Sequence, residues 1–204
     1  MRDWESLDKK YIWHPFTQMQ DWLSSNNIVV KSGTGAWLID THGNRYLDGV
    51  SSLWVNVHGH NNCRLNDSIK SQLEKISHST LLGLAGVPSI ELAEKLVEIT
   101  PEGLDKVFYS DSGSTAVEVA LKVAFQYWKN LGRTEKKIFV GLDQAYHGDT
   151  IGSVSLGGID LFHSIFNPLL FKKCAIPTPF PYEFPDLTPE EVKERLNRLL
   201  RGEI

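Results

Sequence analysis

The 204-residue chain carries 21 Lys and Arg against 25 Asp and Glu, a formal net charge of −4, and 41% of it is apolar. That is ordinary globular composition, which excludes a disordered chain, and the balanced charge speaks against a nucleic-acid protein, whose binding needs clustered Lys and Arg. No apolar run approaches the roughly 18 residues of a membrane helix, and Met1-Arg2-Asp3-Trp4-Glu5 is polar rather than a signal peptide, so the expected address is the cytoplasm.

In chain order, Tyr11-Ile12-Trp13-His14-Pro15-Phe16-Thr17-Gln18 is aromatic-rich and broken by proline, and reads as an arm anchored by its rings rather than as a helix. Ile28-Val29-Val30, Ala36-Trp37-Leu38-Ile39 and Arg45-Tyr46-Leu47-Asp48, separated by glycines and by the turn Asp40–Asn44, predict an antiparallel meander. Gly33-Thr34-Gly35 is no dinucleotide fingerprint, because Leu38 stands where the third glycine belongs and no helix follows. His58-Gly59-His60 places two imidazoles on one side of a strand without a third ligand nearby, so no metal is expected. Cys63 and Cys174 have neither zinc-site spacing nor disulfide density and are expected to be reduced and structural. Leu65, Ile69, Leu73 and Ile76, and then Leu92, Leu96 and Ile99 after Pro88, fall at helical spacing.

From there the pattern becomes α/β. Lys106–Ser110 predicts a strand, Val117, Leu121, Ala124, Phe125 and Trp128 one face of a helix closed near Gly132, and Lys137–Leu142 a second strand. Strand, helix, strand at this spacing predicts a βαβ unit and hence a parallel sheet covered by helices. Pro177–Pro185 reads as an extended surface connection. Thr188-Pro189-Glu190-Glu191 then caps a last helix with Val192, Leu196, Leu199 and Leu200 on its apolar face and Gly202 at its close.

Chemistry concentrates at two turns. Ser112-Gly113-Ser114 follows a predicted strand and opens a helix, where unpaired N–H groups, the helix dipole and serine hydroxyls suit a phosphate; on spacing alone a plain serine cap reads equally well. Tyr146-His147-Gly148-Asp149-Thr150 follows the next strand, where α/β folds place ligand loops, and its tyrosine can stack on a planar ring or simply fill the loop. Ser51-Ser52-Leu53-Trp54 offers an indole for a pocket wall or for the core. No Walker lysine, no Gly-x-Ser-x-Gly elbow and no catalytic carboxylate pair appears, so kinase, lipase and glycosidase readings lose support, and the acidic stretch Pro189–Glu194 is a solvated helix start.

Taken together, Trp13-His14-Pro15-Phe16-Thr17-Gln18, Ser51-Ser52-Leu53-Trp54, Val57-His58-Gly59-His60-Asn61, Asp111-Ser112-Gly113-Ser114 with Val117–Lys122, and Tyr146–Thr150 resemble the amino-terminal half of the class III, fold-type I, pyridoxal-phosphate-dependent aminotransferases. Within them the arm and Trp54 resemble the biotin-pathway group, which converts 8-amino-7-oxononanoate to 7,8-diaminononanoate with S-adenosylmethionine or lysine as amino donor. The resemblance implies that residues 1–60 are the arm and antiparallel strands of a small domain and 61–204 the first, incomplete part of the cofactor-binding large domain. It implies pyridoxal 5'-phosphate as cofactor, Gly113 and Ser114 on its phosphate, Tyr146 on its ring and against substrate, and Trp54 and Phe16 at the substrate. Phe16 stands where some relatives carry a substrate-contacting tyrosine, and Asn62-Cys63 replaces a frequent His-Pro.

The family's Schiff-base lysine and the aspartate on the pyridine nitrogen both belong after Ile204. No catalytic residue is therefore assigned here, and the chain alone is expected to be an inactive portion of a cytoplasmic homodimer. The alternatives are another class III aminotransferase acting on ω-amino acids or amines, and a non-catalytic short homologue that binds phosphate or a partner protomer.

Overall fold

The computed structural model describes residues 2–178, 182 and 184–201. Two units emerge, Met1–Leu92 and Ala93–Ile204.

In the first unit, Asp3 accepts the Ser6 N–H at 3.0 Å and opens α1 (Trp4–Tyr11), whose Glu5 and Lys9-Lys10 lie at the ends the helix dipole favours. Residues 12–18 are non-helical as predicted, and α2 (Met19–Ser24) follows. The anchoring of this arm differs from expectation. Trp13 and Phe16 are 86% and 85% exposed. The hold is polar instead: Asp8 accepts the Trp22 indole N–H at 2.9 Å and lies 3.0 Å from His14 Nε2, with the His14 and Trp22 rings 4.0 Å apart. A carboxylate on α1 satisfies two ring nitrogens, something a count of aromatic residues does not reveal.

The antiparallel meander forms, its first strand shifted from the predicted Ile28–Val30 onto Val30–Thr34: β1 (Val30–Thr34), β2 (Trp37–Asp40) and β3 (Arg45–Leu47) pair in that order. Asp40 builds the second turn, accepting the N–H groups of His42 and Asn44, the Asn44 side-chain amide and the Tyr46 hydroxyl. Burial opposes its charge, but those donors outweigh burial and hold the carboxyl at about 2. After the turn α3 (Ser51–Trp54) comes α4 (Cys63–Leu73), capped by the Asn62 side chain on the Arg64 and Leu65 N–H groups. Helix α5 (Val87–Ile99) carries the chain past the boundary between the units.

In the second unit the strand predicted at Lys106–Ser110 does not form: among the described residues no strand builds a ladder with this segment, and a strand exists only through its ladder. Helix α6 (Gly113–Asn130) starts on a reciprocal Ser112–Thr115 capping box. The second predicted strand shortens to β4 (Val140–Leu142), which pairs parallel with β5 (Cys174–Ile176) through Val140–Cys174, Gly141–Ala175 and Leu142–Ile176. The parallel crossover therefore lies one step later than predicted, running over α7 (Ile151–Leu156), α8 (Asp160–His163) and a 3-10 turn at Ser164–Leu169. The final helix, α9 (Pro189–Arg201), starts on the predicted Thr188–Glu191 box, with Thr188 N–H donating to Glu191 at 2.8 Å. Gly202, and Pro179, Phe180, Pro181 and Glu183 of the predicted connection, lie outside the described residues.

The tightest packing surrounds α7, where Gly152, Ser153, Val154 and Ser155 are buried. A Cβ on Gly141 of β4 would collide with the Leu156 carbonyl, so small residues let helix and strand meet. Lys173 donates to the Leu156 carbonyl at 2.7 Å and to that of Gly157, closing the helix's negative end. Both cysteines are free and exposed, contrary to a structural role. No helix among the described residues is long and apolar enough to cross a membrane.

Candidate functional site

The start of α6 has the properties an anion needs. The first N–H groups of a helix lack intrahelical acceptors; Ser112 takes that of Thr115 at 3.2 Å, while those of Gly113 and Ser114 have no partner within the helix. Apart from its chain neighbours and the backbone of its own helix, no atom among the described residues lies within 4 Å of where a Gly113 side chain would begin, so the space before the turn is open. The aligned peptide dipoles place partial positive charge there. A phosphate fits both the space and the donors.

Ser114 joins this turn to the loop that the sequence singles out separately. Its hydroxyl accepts the Asp149 N–H at 3.3 Å, and its carbonyl accepts the Ser153 hydroxyl at 3.1 Å. Gly148 makes the approach possible: its φ is +114°, and a Cβ there would overlap the Ser114 hydroxyl. From α6, Glu118 accepts the Gly152 N–H at 2.7 Å at the start of α7. The Thr150 hydroxyl foremost, and the Gly152 and Ser153 N–H groups against the opposing cost of burial, hold the Glu118 carboxyl below its ordinary range.

Tyr146 is held at its tip, and the residue is 56% exposed. The phenol donates to Asp149 Oδ2 at 2.6 Å, and His163 Nε2 lies 3.1 Å from Asp149 Oδ1. His163 Nδ1 accepts the Ile159 N–H at 3.0 Å, so that nitrogen is unprotonated and it is Nε2–H that donates to Asp149. The His163 and Tyr146 rings are nearly parallel, at 13°, with centroids 6.4 Å apart. The bond to Asp149, with some burial, raises the Tyr146 pKa, and the same phenol is the largest cause lowering that of Asp149. The phenol stays protonated and the carboxylate charged at neutral pH.

Gly113, Ser114 and Tyr146 thus come together in the second unit, with Asp149, His163 and Glu118 as supports that the sequence reading does not assign. Asp149 is within the quoted loop motif three residues after Tyr146, and Glu118 lies in the quoted Val117–Lys122 stretch without a role assigned to it; nothing in the sequence singles out His163. Trp54 and Phe16 belong to the first unit, 78% and 85% exposed. His60 there is occupied by Asp48 and Asn56, at 2.7 and 2.6 Å.

Residues 19–203 match the class-III aminotransferase family. The adenosylmethionine-8-amino-7-oxononanoate aminotransferase of Geobacter sulfurreducens is 53% identical over 185 residues, covering 91% of this chain and 40% of the relative. The solved structure of the enzyme of that name from Methanocaldococcus jannaschii superposes with a TM-score of 0.83 at 50% identity, over 87% of this chain and 40% of that one. A PMP-bound aminotransferase from Vibrio fluvialis superposes at 0.86 with 30% identity, over 100% and 46%. The chain spans about two fifths of the length of the curated relatives it matches, and its fold is the corresponding part of a fold-type I transaminase. With the helix-start turn, the tyrosine loop and this match over nearly its whole length, the chain belongs to the class III aminotransferase family.

Proposed function

We propose that this chain is the amino-terminal portion of a pyridoxal-phosphate-dependent aminotransferase that converts 8-amino-7-oxononanoate to 7,8-diaminononanoate in biotin synthesis, with S-adenosylmethionine or lysine as donor. The carrying observation is the junction of the α6 start with the Tyr146 loop through Ser114, an anion cradle beside an exposed aromatic face. Identity of 50–53% to relatives of that name, against 30% to the Vibrio aminotransferase, supports the substrate assignment.

When bound, the cofactor carries the amino group and withdraws electrons from the reacting carbon. The chain's own part is binding and orientation. Gly113 and Ser114 hold the phosphate with backbone N–H groups. Tyr146 lies against the ring and meets substrate, its position set by Asp149 and His163. Trp54 and Phe16 line the substrate pocket, Phe16 by apolar contact alone. Residues 1–60 contribute to a small domain and 61–204 open the large, cofactor-binding domain of a cytoplasmic homodimer. The Schiff-base lysine and the pyridine-nitrogen aspartate come from a later segment, so this chain by itself does not turn over.

The test is to express the complete reading frame and follow 7,8-diaminononanoate by mass spectrometry with each donor. Product with either donor supports the reading. Turnover of ω-amino acids or simple amines with none of the keto acid would favour the second reading, a different class III aminotransferase. The Vibrio enzyme's TM-score of 0.86 against 0.83 keeps that reading in view, because the fold alone does not choose the substrate.

A further inference from the structure

The backbone of Ser51–Trp54 runs left-handed at every residue, with φ of 48°, 43°, 59° and 70°. L residues disfavour this conformation because Cβ crowds the following carbonyl, and it normally occurs at single positions, mostly glycine. Here four residues adopt it in succession and none is glycine. Core packing does not compensate, since Leu53 and Trp54 are 63% and 78% exposed.

The hold comes from a polar chain beneath the turn. One oxygen of Asp48 accepts the Ser52 N–H at 2.8 Å; the other accepts the Ser52 hydroxyl at 2.8 Å and lies 2.7 Å from His60 Nε2. The Asn56 amide donates to His60 Nδ1 at 2.6 Å, which leaves Nε2–H to donate to Asp48. His60 is in turn fixed to the meander, exchanging backbone hydrogen bonds with Gly35 at 2.7 and 3.0 Å, and its ring fills the space beside Gly33. The side chain of Asp48 is 4% exposed and that of His60 18%. A buried, fully engaged carboxylate thus ties the strands to a strained turn whose large side chains face outward.

We infer that Asp48, backed by His60, is a positioning residue: it clamps residues 51–54 in the left-handed turn and so sets the Trp54 indole as a wall of the substrate pocket. The inference rests on the role proposed above for Trp54, and it assigns the turn's strain to substrate recognition rather than to folding.

The test uses the complete enzyme labelled with 5-fluorotryptophan, the Trp54 resonance being assigned by its loss in Trp54→Phe. In Asp48→Ala the Trp54 resonance shifts and KM for 8-amino-7-oxononanoate rises at least tenfold, while pyridoxal phosphate affinity stays within twofold. His60→Ala does the same more weakly, and His60→Gln, which retains a donor toward Asp48, returns KM to within twofold of the parent. An unchanged Trp54 resonance in Asp48→Ala, or an unchanged KM there while Trp54→Ala raises it, overturns the clamp. If Trp54→Ala leaves KM unchanged, the pocket role of Trp54 fails, and with it the recognition part of the inference; the resonance still decides whether Asp48 holds the turn. Should Asp48→Ala not accumulate as folded enzyme, the His60→Ala and His60→Gln pair decides on the same readouts.

Discussion

Gly113 and Ser114 make separable demands on the proposed phosphate site. In Gly113→Val the new side chain enters open space, so the fold should survive while the place proposed for the phosphate is filled. Circular dichroism should match the parent, and absorbance titration of the complete enzyme with pyridoxal phosphate should show binding weakened by more than tenfold. Ser114→Ala removes the acceptor of the Asp149 N–H, a hydrogen bond worth about 1 kcal/mol, so the same titration should show roughly fivefold weaker binding. At the meander turn, Asp40 titrates at about 2 in the fold against 3.8 outside it. Its depressed pKa means that it contributes stability above the upper value, and that this is lost as pH falls through the lower one. Stability should therefore fall between those values as the parent is acidified, and Asp40→Asn should flatten that limb. The anion turn is legible in the sequence because its donors are its own backbone. Asp40 is only half legible: its turn can be read, but the Tyr46 hydroxyl that completes its shell reaches it through strand pairing.

Between elements, Glu118 couples α6 to α7. Its carboxylate serves the start of α7 as a cap from another helix, and removing a cap costs about 1 kcal/mol, with 2 at the upper end. Glu118→Ala should lower stability by about that much in denaturant unfolding, and Glu118→Gln by less, since its carbonyl still accepts the Gly152 N–H. Because the native pKa is lowered, the stability difference between the parent and Glu118→Gln should be present above the ordinary glutamate range and fade as pH falls below it. Helices α4, α5, α6 and α9 are readable from apolar spacing and caps, which are local. Strand pairing is not: Val140–Leu142 found its partner strand at Cys174–Ile176, and the equally strand-like Lys106–Ser110 forms no ladder among the described residues.

For the whole chain, surface area is the telling quantity. Its exposed area is 16641 Å². A folded monomer of 23.0 kDa is expected to expose about 9,600 Å², and two separate units of half that mass about 11,600 Å². Large apolar side chains contribute to it, with Leu82 89%, Val57 80%, Ile138 73% and Phe108 72% exposed. Such surface is normally covered by further chain or by another subunit. The chain expressed alone should therefore bind a hydrophobic dye strongly and unfold without a sharp transition, whereas the complete enzyme should do neither. Pyridoxal phosphate followed by borohydride should leave no stoichiometric lysine adduct on the chain alone. A fixed adduct at one lysine, found by peptide mass mapping, would overturn the assignment of the catalytic lysine to a later segment.

Local chemistry carries the amino-acid sequence as far as the helix-start turn at Ser112-Gly113-Ser114, the meander and the amphipathic helices, because a cap, a turn or a helical face is written within a few neighbouring residues, while the family comes from the resemblance of its motifs. Folding in three dimensions alone decides which strands pair, that Ser114 meets the Tyr146 loop, that His163 orients Asp149, and that Asp48 and His60 hold four consecutive non-glycine residues left-handed. Each of these is a partnership across 12 to 35 positions of chain, or a conformation that local preference opposes, and only the tertiary context supplies the free energy to impose it.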